Sequence, residues 1–463
     1  MACRIRRGVL FCGIKEEGVA KLGMLRRVQN LPLIENFRKL EGNTRISVIF
    51  EFFFSVANTL YTFYLSLYMK GCGVTDREIG LVVAVSYFFG ILFALSAGEI
   101  VNRLGRKKTT TIFELLAWPG SCLIFLFANN FWMFALGKIV NSLSQISNMS
   151  WNFMVVEDAD DDQRVAALNI LTMLHTAIGV ITPIGGLLVT RIGIISAQKV
   201  FLIFAIVVFA TEMIIRNRFY TETKVGQEIL AAGHPPLRLG NINPLGGFKI
   251  LWGKKMILSA ILLNVIYNAM YPLSTHFSLY LNVYLTDVIG IDPAAVSLVG
   301  GCNSIGLLLT CLLVIPVINH FIRTRVGMGG ALVAGFFIQI PYMFLMIFLP
   351  HGSLTLACVA ALVYSSGYAM CKTFLDSLVA SVTEEEAKNR GKIYAVMNVM
   401  ISAGSTLMSS LSGVIYALRP SSIFSLSAVM LTVNLLILTG FIIRQRALQK
   451  REAKREEEAC AAL

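Results

Sequence analysis

Long apolar stretches separated by short polar connections dominate the chain, and twelve of them reach the roughly 20 residues that an α-helix needs to cross a hydrocarbon layer. They fall at about 46–69, 77–102, 107–128, 131–156, 164–190, 197–217, 254–288, 294–319, 325–349, 354–380, 391–417 and 422–443. The widest polar gap, from about Arg218 to Lys255, is rich in glycine and proline and divides the stretches six and six. This pattern predicts an all-α protein with a basic tail over 1–45, a six-helix bundle over 46–217, a connecting segment over 218–253, a second six-helix bundle over 254–443 and a charged tail over 444–463. Residues 1–23 read as an appendage ahead of Met24.

Polar residues inside the apolar stretches are not scattered. The first stretch holds Glu51, Ser55, Asn58 and Thr62, and the fourth holds Lys138, Asn141, Gln145, Asn148 and Asn152. The seventh holds Asn264, Asn268, Tyr271, Thr275 and Ser278, and the tenth Tyr364, Tyr368, Lys372 and Asp376. Steps of three and four put each set on one helix face. A face turned to lipid admits no such stripe, so these faces must look at protein or water. For a single Asn, Ser or Thr the plainer role is a hydrogen bond between helices. A charge is different, because placing it at the centre of a bilayer costs about 2.5–3.5 kcal/mol on insertion scales and demands a partner or a task. With Tyr61 adding aromatic surface, the stripes are candidates to line a substrate cavity.

Composition agrees with a membrane protein: of 463 residues only 14% are charged, and the hydrophobic fraction is 56%, far from the balance of soluble domains. Mean hydropathy is +0.70. If the N-terminus is cytoplasmic, most of the 40 Lys and Arg lie in inside segments; the outside loops hold only Lys70, Arg77, Arg191, Lys199 and Arg419. Both termini are therefore expected in the cytoplasm of a plasma-membrane protein. The net charge of +13 follows from this topology beside anionic lipid and asks for no nucleic acid. The cysteines stand singly, without metal or redox spacing.

Carboxylates in a low-dielectric interior can take up protons in the working range. Glu51, Asp376 and Glu114 are candidates for that task, and His175, mid-span in the fifth stretch, is a candidate relay. Lys372 and Asp376, four apart, can also neutralise one another on their own helix. Glu212 reads as a carboxylate reaching to the membrane surface. No His-Glu-x-x-His, Gly-x-Ser-x-Gly or phosphate-binding Gly-Lys-Ser/Thr occurs, so neither an enzyme nor an ATP-driven pump is expected, and no cofactor or metal is implied.

The turn after the second stretch, Gly98-Glu99-Ile100-Val101-Asn102-Arg103-Leu104-Gly105-Arg106-Lys107-Lys108, resembles the loop signature of the major facilitator superfamily. Gly98, Arg103, Gly105, Arg106 and Lys107 match it, while Asn102 stands where the family has an acidic residue; Glu99, one turn earlier, is a possible substitute. The charged turns after the fourth and tenth stretches, with Glu157 ahead of Arg164 and Glu384–Glu386 ahead of Arg390, join it as candidate gating elements. Gly179, Pro183, Gly185 and Gly186 in the fifth stretch resemble a motif of the family's exporters, with departures, and Lys138 loosely matches a basic residue of another. The resemblance implies the superfamily's fold, with helices one, four, seven and ten around a central cavity. It also implies a monomeric secondary carrier that moves a small organic solute by alternating access, with a proton, or else sodium, as coupling ion. Export is favoured over uptake; a sensor or lipid-handling protein of the same shape is the alternative.

Overall fold

The computed structural model describes residues 32–233, 251–322, 325–384, 386 and 390–461. The first 31 residues, the connecting segment 234–250, Glu385 and the side chain of Arg390 are not among them, so the expectations placed there lie outside the described residues. Helices form wherever an apolar stretch was read. They are α1 Gly42–Gly71, α2 Asp76–Leu104, α3 Arg106–Phe127, α5 Asp161–Ile192, α6 Ile194–Phe219, α7 Lys255–Asp287, α8 Val296–Phe321, α9 Arg325–Ile347, α10 Leu354–Thr383, α11 Arg390–Leu418 and α12 Ser422–Ala461.

The fourth stretch differs. It folds as α4 in two pieces, Phe131–Ser142 and Ser144–Val156, with a tight turn at Leu143, whose N–H donates to Val140 O at 3.1 Å. Among the described residues eleven helices are long and apolar enough to cross a membrane, and α4 makes the twelfth. α12 also runs on as helix into the charged C-terminal tail.

Local chemistry starts and turns the helices. Thr75 and Glu78 form a reciprocal cap on α2, and Asn130 and Asp160 accept the first free N–H groups of α4 and α5, as small polar residues do at helix starts. Two one-residue reversals, α2 to α3 and α5 to α6, are made by Gly105 at φ 84° and Gly193 at φ 77°, a backbone region costly for any residue with a Cβ. Prolines mark the irregular places: Pro119 sits in a widened turn of α3, Pro183 follows a tightened one in α5, and α7 breaks at Leu279 after Pro272.

Helices α1–α6 make one bundle and α7–α12 the other. An even number of spans brings the first and last helix ends to one side, here called the terminus side. Between the halves α2 packs on α11 and α5 on α8. The outward surface is apolar and exposed, as at Phe127, Ile184, Leu187, Leu313 and Leu436, a surface that lipid, not water, would cover. Polar side chains in α9 and α12 turn inward: Gln339 is buried and accepts the Tyr267 hydroxyl at 3.2 Å, and Asn434 is buried.

Candidate functional site

Polar side chains gather in three places along the space between the halves. The first is in the second half, on the terminus side. Asn264 of α7 donates to Asp376 of α10 at 3.1 Å, and Asn268 donates to Asn264 Oδ1 at 2.8 Å. Lys372 reaches Asn268 Oδ1 at 3.4 Å and pairs with Asp376 at 3.2 Å. The four are one network across two helices, and Lys372 and Asp376 stay 40% and 53% exposed, open to whatever occupies the space. The same faces of α7 and α10 carry rings: Tyr271 lies 5.8 Å from Tyr368 and Tyr267 6.1 Å from Tyr368. His276 stands edge-on to Tyr271 at 4.7 Å. In the first half α4 exposes Gln145, Asn148 and Asn152.

The second place joins two residues that are far apart in sequence. His175 Nε2 of α5 lies 2.7 Å from Glu51 Oε1 of α1, and Ser55 donates to the same carboxylate at 3.2 Å. The carboxylate is 10% exposed and the imidazole 52%, so the pair has one member inside the bundle and the other open.

Behind it, Arg216 of α6 pairs with Glu114 of α3 and approaches Glu212 at 2.9 Å. All three are buried. Glu212 therefore does not reach the membrane surface as expected; Arg216, one turn on, draws it inward. Glu114 is likewise committed to an ion pair.

The third place is the turn between α2 and α3. Arg106 pairs with Glu157 at the end of α4 at 3.0 Å and donates to Asn102 at 3.3 Å, so Asn102 serves as a hydrogen-bond acceptor within the turn. Glu99 is bound to Arg103 on its own helix at 2.8 Å and does not stand in for the missing acid. Gly98 packs near Met149. Glu157 also accepts the Thr223 hydroxyl at 2.6 Å.

Glu222, which sequence reading did not single out, accepts the backbone N–H of Arg106 at 2.8 Å and of Lys107 at 3.0 Å. A carboxylate is well placed at such free N–H groups, and Gly105 leaves room for it: a Cβ there would lie 2.6 Å from Glu222 Oε2. The only hint in the sequence was its position among charges after α6. Arg164 bonds Val156 O at 2.8 Å and Asp161 at 3.1 Å, closing the α4 to α5 turn.

Several candidates sit elsewhere than the cavity. Tyr61 is 1% exposed and packs edge-on to Phe209 of α6 at 6.1 Å, while its carbonyl accepts Gln198 at 2.7 Å. It belongs to the interior of the first bundle, because an aromatic ring one position off the stripe of α1 turns to the neighbouring helix. Asn141 is tied to Ala117 O of α3 at 3.1 Å. Tyr364 is buried against Tyr342 of α9 at 4.4 Å, behind the rings that are half open. Asn58 is half-buried, with a buried Oδ1 that has no hydrogen-bond partner. Lys138 lies over the Phe125 ring at 5.9 Å.

On the side away from the termini the halves are closed on each other. Lys70 of α1 bonds both Asp76, at 2.7 Å, and Asp287 of α7. Tyr280 donates to Asp76 O and Asn282 to Phe63 O, and Thr182 donates to Ser297 O at 3.1 Å. Small residues make the closure tight. A Cβ on Gly186 would lie 2.5 Å from Ala294 O, one on Gly80 2.5 Å from Ser409 O, and one on Gly179 2.0 Å from Ser304 Oγ. On the terminus side Arg106–Glu157, Asn43–Thr221, Asn264–Asp376 and Lys254–Glu386 each join residues of one half.

The same architecture occurs in known transporters. The structure is similar to that of a mutant of the nucleoside transporter NupG, with a TM-score of 0.66 at 12% identity over 86% of this chain and 100% of that one. It is similar also to a bacterial homologue of the iron transporter ferroportin in an inward-facing state, with a TM-score of 0.58 at 11% identity over 86% and 98%. At such identities the likeness is one of fold. The model of the Major Facilitator Superfamily matches residues 48–388 and 290–462, nearly the whole span of the twelve helices, and the chain belongs to that superfamily.

Proposed function

We propose that this protein is a secondary carrier that moves a small organic solute across the membrane by alternating access, coupled to protons. The observation that carries the reading is the Glu51–His175 pair, a buried carboxylate joined at 2.7 Å to a half-exposed imidazole on another helix. Such a pair can hold one proton between two groups of different solvent access, which is what coupling needs.

The Asn264–Asn268–Lys372–Asp376 network, the half-open rings of Tyr271 and Tyr368 and the amides of α4 supply hydrogen bonds and a flat apolar surface for the solute. Closure on the side away from the termini suits one end state of a rocking pair of bundles. With both termini in the cytoplasm of a plasma-membrane protein, that state is the inward-open one.

Export is the favoured direction, supported by the Gly179–Gly186 segment of α5, whose small residues meet α8 of the other half. Tyrosine rings beside amides also suit a nucleoside, the cargo named for NupG, taken up instead of expelled.

Reconstituted protein tested by solute counterflow, with and without a pH gradient, decides the matter. Glu51→Gln should abolish gradient-driven accumulation and spare exchange. Retention of full gradient dependence in that variant removes Glu51 from the mechanism, and absence of any solute movement in the wild type removes the carrier reading.

A further inference from the structure

Three carboxylates and one arginine meet inside the first bundle, and the carrier reading uses only one of the carboxylates. Rings set their level. Phe54 of α1, Trp118 of α3 and Phe209 of α6 touch one another, with centroids 4.9 Å apart for Phe54 and Trp118, 5.0 Å for Phe54 and Phe209 and 6.0 Å for Trp118 and Phe209. About one turn from each ring toward the terminus side stands a glutamate, Glu51, Glu114 and Glu212 in the same order of helices, because steps of three and four keep one helix face. Farther toward that side the hydroxyls of Ser47 and Tyr220 lie 2.6 Å apart, and the Arg216 guanidinium rests over the Tyr220 ring at 5.4 Å. The three glutamates and Arg216 are buried between these two layers.

Charge does not balance there. Arg216 holds Glu114 on Nη2 and Glu212 on Nη1, two carboxylates on the two ends of one guanidinium. Glu114 accepts a hydrogen bond from Arg216. Glu212 is 4% exposed, yet neither of its oxygens accepts one; Nη1 stands at 2.9 Å without the geometry of a hydrogen bond. A buried anion without hydrogen bonds is costly, and two like charges in one site favour protonation of one of them. The other titratable groups that face the pair bring no cation of their own: Glu51 of α1 adds negative charge, Tyr220 of α6 is a phenol, and His175 of α5 is held by Glu51.

We propose that Glu114 and Glu212 share one proton over Arg216 and form a second proton-binding site, separate from the Glu51–His175 pair, with Glu212 as the neutral acid. One proton makes the cluster neutral, since a single carboxylate then balances the guanidinium. The rings on one side and the Ser47–Tyr220 contact on the other keep water from it, so the proton is held firmly. The site itself does not depend on the carrier reading; its consequence does. With this cluster neutral, the proton that moves during transport is the one on Glu51 and His175.

The test is infrared spectroscopy of full-length purified protein in lipid at neutral pH, which reads the carbonyl stretch of protonated carboxyl groups and its shift in heavy water. The wild type should show such a band, and heavy water should shift it slowly. Glu212→Gln and Glu114→Gln should each lose it, because the remaining carboxylate then has the guanidinium to itself and ionises. Glu51→Gln should keep it. Both single variants leave a balanced ion pair and should melt within a few degrees of the parent, whereas a cluster with both carboxylates ionised would be stabilised by either change.

No band in the wild type, a band that survives in either Glu114→Gln or Glu212→Gln, a band lost in Glu51→Gln, or a clear rise in melting temperature in both single variants overturns the proposal and leaves the carrier reading intact. The expected bands in a protein that moves no solute in counterflow support the site and overturn the carrier reading instead.

Discussion

Gly186→Ala is the sharpest probe of the closed interface. In α5 the added Cβ would lie 2.2 Å from Ser297 Oγ and 2.5 Å from Ala294 O. The serine hydroxyl can rotate away, but the carbonyl is backbone at the start of α8 and moves only with its helix. Restoring an ordinary C···O separation near 3.3 Å requires the two helices to part by roughly 0.8 Å.

Overpacking of this kind costs about 1–3 kcal/mol. The cost falls only on the arrangement in which α5 and α8 touch, so it shifts the balance between two transport states by about 5- to 150-fold toward the one open on the side away from the termini. Labelling measures it: in a background without native cysteines, Thr62→Cys on α1 is reacted with an impermeant maleimide from that side. Gly330→Ala is the control, since a Cβ at Gly330 meets nothing within 4 Å. Gly186→Ala should label several-fold faster and Gly330→Ala at the parent rate. Equal rates in all three, with monodisperse protein, would refute the idea that this contact holds the closed state.

Two further outcomes follow from the buried charges and the linker. Arg216→Met leaves Glu114 and Glu212 buried without a cation and should cost about 3–5 kcal/mol, seen as early thermal aggregation in detergent; adding Glu114→Gln and Glu212→Gln should recover most of it, and an Arg216→Met protein as stable as the parent would mean the cluster is already neutral. Glu222→Ala removes the acceptor of two backbone N–H groups at the start of α3, a loss of about 1–3 kcal/mol, so hydrogen exchange at Arg106 and Lys107 should quicken while that of α9 stays as it was.

The sequence alone determined the number of spans, the division into two halves and the faces on which polar residues lie, because hydrocarbon forbids an unsatisfied backbone and punishes a polar stripe, and both rules are written in residue order. It also marked the Gly105 reversal and the close-packing glycines of α5, since a missing side chain is visible in a sequence. Partnership was another matter. Glu51 and His175 are 124 positions apart, and their 2.7 Å contact exists only because α1 and α5 pack together. Glu212 looked like a surface carboxylate until Arg216 and Glu114 were brought around it, and Glu222 gained its role only when the segment after α6 folded back on the turn before α3. Tyr61 and Tyr364 carried the right chemistry on the right helices, yet neighbouring helices cover them. Periodicity fixes the face of a helix to within a residue or so; the crossing of helices decides whether that face meets a charge, a ring or open space, and that is a property of the assembled bundles.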